Sequence, residues 1–377
     1  MNWFLTVTFL ISFVIYCAHD AGAEGVNNPF KWVVYGLMLA LPIFQLTIPS
    51  IFRRYKILMA KWLGIFTIFF IFHLIFAHEK PLVAIVSLCS FFTLSVVAVS
   101  ANLNKATWIT LLTILIVTIL TTFSYSNISN LESWTGFMPN ANTNSVLVFS
   151  TLMATILGCK NRKIRWFIWI LALIAIIATR SRNALLVYFV LFAASLFEFK
   201  LIKIQKWLPL MFILVLIGAA YFMIVIEPSQ TKASLSLMGK ENGSAGRSLQ
   251  IIYLINNFKL SLWGGGRIIN SIVQQHAFYN VHNTYLASFY ILGIVISIAY
   301  IWFLYWLYKS SVSFKFKICL LMVQFYLFFE PGVFFSVQML YFMPMFVLCA
   351  NFYNHSVYNS RSQKPAHKKI PVLFNNL

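Results

Sequence analysis

Apolar windows alternate with short polar breaks along almost the whole chain, near 2–18, 32–50, 57–77, 81–101, 107–124, 142–159, 166–179, 184–199, 207–226, 284–308, 317–330 and 335–353. A helix that crosses a bilayer needs about 20 apolar residues, so the pattern predicts an all-α polytopic membrane protein of about twelve transmembrane helices. One polar stretch, Glu227 to Asn283, is too long for a simple connection, and loops of that size are functional or disordered. Within it a flexible run, Lys240 to Gly246, precedes apolar residues at Leu249, Ile252, Tyr253, Phe258, Leu260 and Leu262. That spacing predicts an amphipathic helix lying on the outer membrane surface and stopping at Trp263-Gly264-Gly265-Gly266. The expected organisation is nine helices over 1–226, an outer loop over 227–283, three helices over 284–353 and a polar, basic tail over 354–377. No repeat, heptad or low-complexity tract interrupts it.

Composition agrees. Of 377 residues 60% are apolar and 10% charged, against roughly 45–50% and about 25% in globular chains. The net charge of +20 would suggest nucleic acid in a soluble protein, but in a multi-span chain Lys and Arg collect in cytoplasmic loops beside anionic lipid. Nucleic acid is therefore not an expected partner. With the N-terminus in the cytoplasm, every inner turn is basic: Arg53, Arg54, Lys56 and Lys61; Lys105; Lys160, Arg162, Lys163 and Arg165; Lys200, Lys203 and Lys206; Lys309, Lys315 and Lys317; and the tail. Nine basic residues remain outside: Lys31, Lys80, Arg180, Arg182, Lys232, Lys240, Arg247, Lys259 and Arg267. All acids except Glu198 fall outside too. The first window lacks a positively charged start and reads as a retained span rather than a cleaved signal. Cys17, Cys89, Cys159, Cys319 and Cys349 lie in or beside apolar runs, so neither a disulfide framework nor a cysteine metal site is expected.

The segments that topology leaves unexplained are all on the outer side. Thr179-Arg180-Ser181-Arg182-Asn183 places two arginines between apolar windows with almost no loop. A charge at a membrane boundary marks a functional site unless it snorkels to lipid phosphates, and arginine suits a bidentate grip on phosphate. The three glycines from Gly264 allow positive φ and close backbone approach, as a turn or as a ligand-contacting loop; without a following Lys-Ser/Thr they are no phosphate-binding P-loop. At His282-Asn283-Thr284-Tyr285-Leu286 the chain re-enters the apolar region, and His282 is either a structural residue at a helix start or a base with a pKa near neutrality. Gly136 to Asn144, with Asn140 at its centre, is a polar turn whose amides either bind sugar hydroxyls or cap the next helix. His73 falls within the third window and reads as a buried, hydrogen-bonded helix residue or a proton relay, His78 and His276 are outer-loop residues of no pattern, and Glu330-Pro331 reads as a break between helices.

One imidazole and several arginines on a common face, with no carboxylate beside them in sequence, suit an anionic ligand. A diphosphate leaving group needs positive charge where electrons accumulate, and a hydroxyl nucleophile needs a base. No paired carboxylates suggest a glycosidase, and no zinc motif occurs, so neither a metal nor another cofactor is expected.

Ser181-Arg182-Asn183-Ala184-Leu185-Leu186, Gly246-Arg247 ahead of Trp263-Gly264-Gly265-Gly266, and His282-Asn283-Thr284-Tyr285-Leu286 with Gly293 beyond it resemble the O-antigen ligase and O-antigen polymerase superfamily. The resemblance implies a GT-C-like, metal-independent inverting glycosyltransferase on the periplasmic side of a bacterial inner membrane, with both termini cytoplasmic. Its donor would be a glycan on undecaprenyl diphosphate, with membrane lipids around it. Carried over by position, Arg182 and Arg247 would bind the diphosphate, with Arg180 as the alternative to Arg182, and His282 would activate the acceptor hydroxyl. Gly264, Gly265, Asn283 and Asn140 would contact the glycan or the backbone. The Arg, Arg, His set favours the ligase, whose acceptor is lipid A-core, over the polymerase, whose acceptor is a second undecaprenyl-linked glycan. A lipid or solute transporter without chemistry is the remaining alternative.

Overall fold

The computed structural model describes residues 2–19, 29–49, 105–122, 133–136, 141–197, 202–221, 247–265, 269, 272–273, 275, 283–311, 313–330 and 344–351. His282, Asn140, His73, His78, His276, the windows 57–77 and 81–101 and the tail beyond 351 lie outside them. The elements are α1 (Asn2–His19), α2 (Pro29–Leu46), α3 (Lys105–Thr122), α4 (Ala141–Gly158), α5 (Arg162–Thr179), α6 (Arg182–Leu196), a 3-10 turn (Ile202–Ile204), α7 (Leu208–Tyr221), α8 (Arg247–Asn257), α9 (Thr284–Ala287), a π-helical turn (Ser288–Leu292), α10 (Ile294–Ser310) and α11 (Phe314–Phe328). A further helical stretch covers 344–351.

The helices begin where the sequence supplies caps. Asn161 Oδ1 accepts from the Lys163 and Ile164 amides at 2.9 and 3.3 Å and starts α5. Ser313 Oγ accepts from Phe316 N and starts α11. These bonds satisfy amides that a helix leaves open in its first turn.

Two helices form the centre. In α4 every residue from Thr143 to Thr155 is buried, and α11 buries most of its length. They lock through Phe149 stacked on Tyr326 at 5.5 Å and through a 2.7 Å hydrogen bond between Ser145 Oγ and the Tyr326 hydroxyl. The buried Ser150, Thr151 and Thr155 bond to carbonyls one turn back, so the polar side of α4 needs no outside partner there. Trp134, fully buried, ties two helix ends together: its backbone N–H donates to Ala178 O and its indole N–H to Thr122 Oγ1.

None of the described helices is long and apolar enough to cross a membrane. This overturns the expectation of a polytopic protein with about twelve transmembrane helices; the helical part of that expectation stands. The reason lies in length and interruption. The five helices α1 to α5 have 18 residues each and reach about 27 Å at 1.5 Å per residue, short of a hydrocarbon core of about 30 Å. α7 has 14 described residues, Leu208–Tyr221. The window 284–308 is broken at Gly293, where φ is 90° and the π-helical turn ends. α4 fills its window but carries Asn142, Thr143, Asn144 and Ser145 in its first turns.

The exterior is nonetheless strongly apolar. α7 buries no side chain, and Leu210, Leu214 and Ile217 on it are at least half exposed. Ile298, Ile301 and Trp302 on α10 and Ile170, Ile174 and Ile177 on α5 are exposed as well. Contiguous apolar surface of this kind marks a site of contact with lipid, ligand or protein.

The body has two distinct ends. α6 runs antiparallel to α11: Asn183 in its first turn bonds Glu330 just past the end of α11, while Leu191 and Ala194 near its own end line a small cavity with Phe314 and Ile318. Arg162, Lys163, Arg165, Lys309, Lys315 and Lys317 therefore gather at one end, with Lys317 Nζ donating to Gln205 Oε1 at 3.2 Å. Thr179 to Asn183, Glu330 and Asn283 gather at the other.

Candidate functional site

The site begins at the turn between α5 and α6. Arg180 takes the left-handed conformation, φ 53° and ψ 29°, and its N–H donates to Ile177 O at 3.0 Å. Among the described residues it is the one non-glycine residue with positive φ, a conformation that L side chains seldom adopt. The left-handed residue reverses the chain at once, so α6 starts two residues later at Arg182. Both arginines are half-buried, and Ser181 between them is buried.

Glu330 is what the turn faces. Its side chain is fully buried, and Asn183 Nδ2 donates to its Oε1 at 3.3 Å. Its backbone carbonyl accepts from Thr284 Oγ1 at 3.0 Å. One residue thus joins the arginine turn to the start of α9, across 147 residues of chain on one side and 46 on the other. Sequence reasoning missed this carboxylate, reading it as a helix break with no acid beside the arginines. A signal was present: Glu330 is the only acidic residue after Glu241.

Asn283 sits beside it. Its Oδ1 caps α9 by accepting from Leu286 N at 2.9 Å, while its Nδ2 is buried without a hydrogen-bond partner. A buried donor in that state is costly to keep, and it stands one residue from His282. On α9, Tyr285 donates its hydroxyl to Gln324 Oε1 at 3.1 Å, and Tyr300 of α10 donates to the same oxygen at 3.0 Å.

The glycine motif packs at the other end of the helical segment that starts with α9. Gly264 has φ 75° and Gly293 φ 90°. The segment through Gly264 lies along the helix break: Gly265 N donates to Tyr290 O at 2.9 Å and Ile294 N to Ser261 O at 3.0 Å. Both Gly264 and Gly265 make their close approach to the chain itself, at Ile291, Gly293 and Ile269. Gly293 does not continue a helix from Leu286, as the spacing implied; it ends the π-helical turn.

α8 packs on the same assembly. Leu254 joins Ile269, Val273, Ala287, Tyr290 and Ile291, and Ile251 meets Phe328, Tyr285 and Leu286. The amphipathic face is thus buried against protein, a correction to the helix expected on the outer membrane surface, and the helix ends at Asn257 rather than at the glycines. Arg247 is its first residue, one turn before Ile251. At the start of α4, Asn144 is fully buried under Gly136 with both side-chain polar atoms lacking hydrogen-bond partners; it neither caps the helix nor reaches solvent.

The structure therefore brings together the turn holding Arg180 and Arg182, the start of α9 holding Asn283, and the docked helix that begins at Arg247. Comparison with family models, with curated proteins and with solved structures returns no match.

Proposed function

We propose that this chain is a glycosyltransferase of the O-antigen ligase type, moving a glycan from undecaprenyl diphosphate to lipid A-core on the periplasmic face of a bacterial inner membrane. The observation that supports this most is the double hold on Glu330, by Asn183 and by Thr284. Two motifs that resemble the family's, 100 residues apart in the chain, share one end of the fold. The apolar exterior suits a lipid-linked donor, without any need for the twelve crossing helices that the windows implied.

In this reading the acceptor hydroxyl attacks the anomeric carbon while His282 takes its proton. The bond from that carbon to the diphosphate oxygen breaks, the electron pair stays on the oxygen, and undecaprenyl diphosphate departs. Arg182 and Arg247 stabilise the developing negative charge, with Arg180 next in line. Attack opposite the leaving group inverts the anomeric centre. Glu330 touches no reacting atom; it is a positioning residue that holds the first turn of α6, and so Arg182, against α9.

The test is a gel of lipopolysaccharide from cells lacking the gene and complemented with variants. A ligase leaves bare core and accumulates polymer on undecaprenyl diphosphate when lost; a polymerase leaves core bearing a single repeat. His282→Ala and Arg182→Ala are expected to reproduce the bare-core pattern at normal protein level. Full-length capped lipopolysaccharide in both variants would remove the assignment, and a single-repeat pattern would transfer it to the polymerase reaction.

A further inference from the structure

At the end of the body opposite Glu330, a cavity of about 400 Å³ opens between the end of α4, the start of α5, the end of α6 and the start of α11. Arg162, Arg165 and Lys315 line one part of it, and Trp166, Trp169 and Phe192 another. The volume lies within the roughly 300–1,000 Å³ usual for small-molecule sites.

The cations converge from separate helices; they are not a run on one surface. Arg162 and Arg165 come from the first turn of α5, and Lys315 from α11, about 150 residues on. Arg165 Nε is buried and has no hydrogen-bond partner. A buried guanidinium N–H without an acceptor is unfavourable unless water or a ligand supplies one. The positive end of the 18-residue helix α5 adds to the same field.

The aromatic wall packs ring against ring. Trp169 meets Tyr188 edge-on at 5.0 Å and Phe192 at 5.4 Å, Trp166 meets Phe192 at 5.8 Å, and the Tyr188 hydroxyl donates to Trp169 O at 3.1 Å. Cations set against apolar rings make a site for a ligand with an anionic head and an apolar or planar remainder.

We infer that this cavity binds a phosphate-bearing anion, with Arg162, Arg165 and Lys315 on the phosphate and Trp166, Trp169 and Phe192 against what the phosphate is attached to. Two sources share that chemistry: the headgroup of an anionic phospholipid and a soluble phosphate. The site lies the length of the 15-residue helix α6, about 22 Å, from Asn183. It stands or falls independently of the transferase reading.

The purified full chain in a neutral detergent is titrated with short-chain phosphatidylglycerol, with sodium phosphate, and with dihexanoylglycerol, which has tails and no phosphate. The readout is the part of the tryptophan fluorescence change that Trp166→Phe removes. Phosphatidylglycerol is expected to give a saturable change, weakened tenfold or more in Arg165→Gln and several-fold in the solvent-exposed Arg162→Gln. Sodium phosphate that reproduces or competes with the change identifies the soluble source; phosphate without effect identifies the lipid. Should Arg165→Gln melt far below the parent, Arg162→Gln and Lys315→Gln decide. Equal binding of dihexanoylglycerol, no saturable signal from any probe, or phosphatidylglycerol binding unchanged in the folded variants overturns the inference.

Discussion

Gly264 and Gly293 meet backbone to backbone: a Cβ on Gly293 would stand 2.5 Å from the Gly264 nitrogen, and one on Gly264 would stand 2.6 Å from the Gly293 nitrogen. Positive φ and lack of room act together at both positions. Each Gly→Ala change is expected to destabilise by about 1–3 kcal/mol from the backbone conformation alone, with the contact adding to it. Gly218→Ala is the control, because a Cβ there meets nothing within 4 Å and alanine favours a helix by about 0.5–1 kcal/mol. Thermal melting of the three variants checks this, and equal melting temperatures for Gly293→Ala and Gly218→Ala would refute it.

Glu330 separates charge from hydrogen bonding. Glu330→Gln keeps an oxygen for Asn183 Nδ2 to bond, whereas Glu330→Ala leaves that donor without its acceptor. The alanine variant is expected to lose about 1–3 kcal/mol of stability and the glutamine variant less. A chemical-denaturation series in which glutamine is the more damaging would show that the charge, not the bond to Asn183, dominates.

Gln324 accepts from two tyrosine hydroxyls through one oxygen. Gln324→Leu removes the acceptor of both bonds, at about 1–3 kcal/mol each, and Tyr285→Phe or Tyr300→Phe removes only one of the two bonds. A double-mutant cycle over the two tyrosines is expected to show coupling, since they share an acceptor. Strict additivity would mean that each hydroxyl finds another partner.

Phe149 and Leu214 are large apolar residues of opposite burial. Phe149, fully buried against Tyr326, is expected to cost about 3–5 kcal/mol when changed to alanine. Leu214 is 60% exposed on a helix that buries nothing, so Leu214→Lys is expected to leave the melting temperature nearly unchanged. On the proposed function it lowers association with liposomes, which flotation measures; undiminished flotation would remove α7 from the lipid contact.

Much of the helix inventory was legible as apolar windows, and α4 and α5 lie within a few residues of where the pattern put them. The need for glycine at Gly264 was legible too, because a run of glycines before an apolar segment has few other uses. What periodicity could not show was where a window stops being one helix. Nothing between Thr284 and Tyr308 marks Gly293 as a break until Ser261 O accepts from Ile294 N and Tyr290 O accepts from Gly265 N, in place of partners that a continuous helix would have kept internal. Glu330 was hidden for the related reason that its partners are tertiary: the arginine turn has no acid near it in sequence and one beside it in space. The amphipathic face of α8 was read correctly as buried but assigned to the wrong medium, since Ile251 and Leu254 look the same whether lipid or Phe328 covers them.

The bonds from Gly265 to Tyr290 and from Ile294 to Ser261 have a mechanical consequence. They clamp the segment 261–265 to the helix break from both sides, so that moving it away from Tyr290 and Ile294 breaks both bonds. The 261–265 stretch is therefore not a door that swings on its own to admit a substrate. Any opening beside Asn283 has to carry the clamp along or hinge outside it, which makes the register of α9 against Glu330 the quantity that such a motion would change.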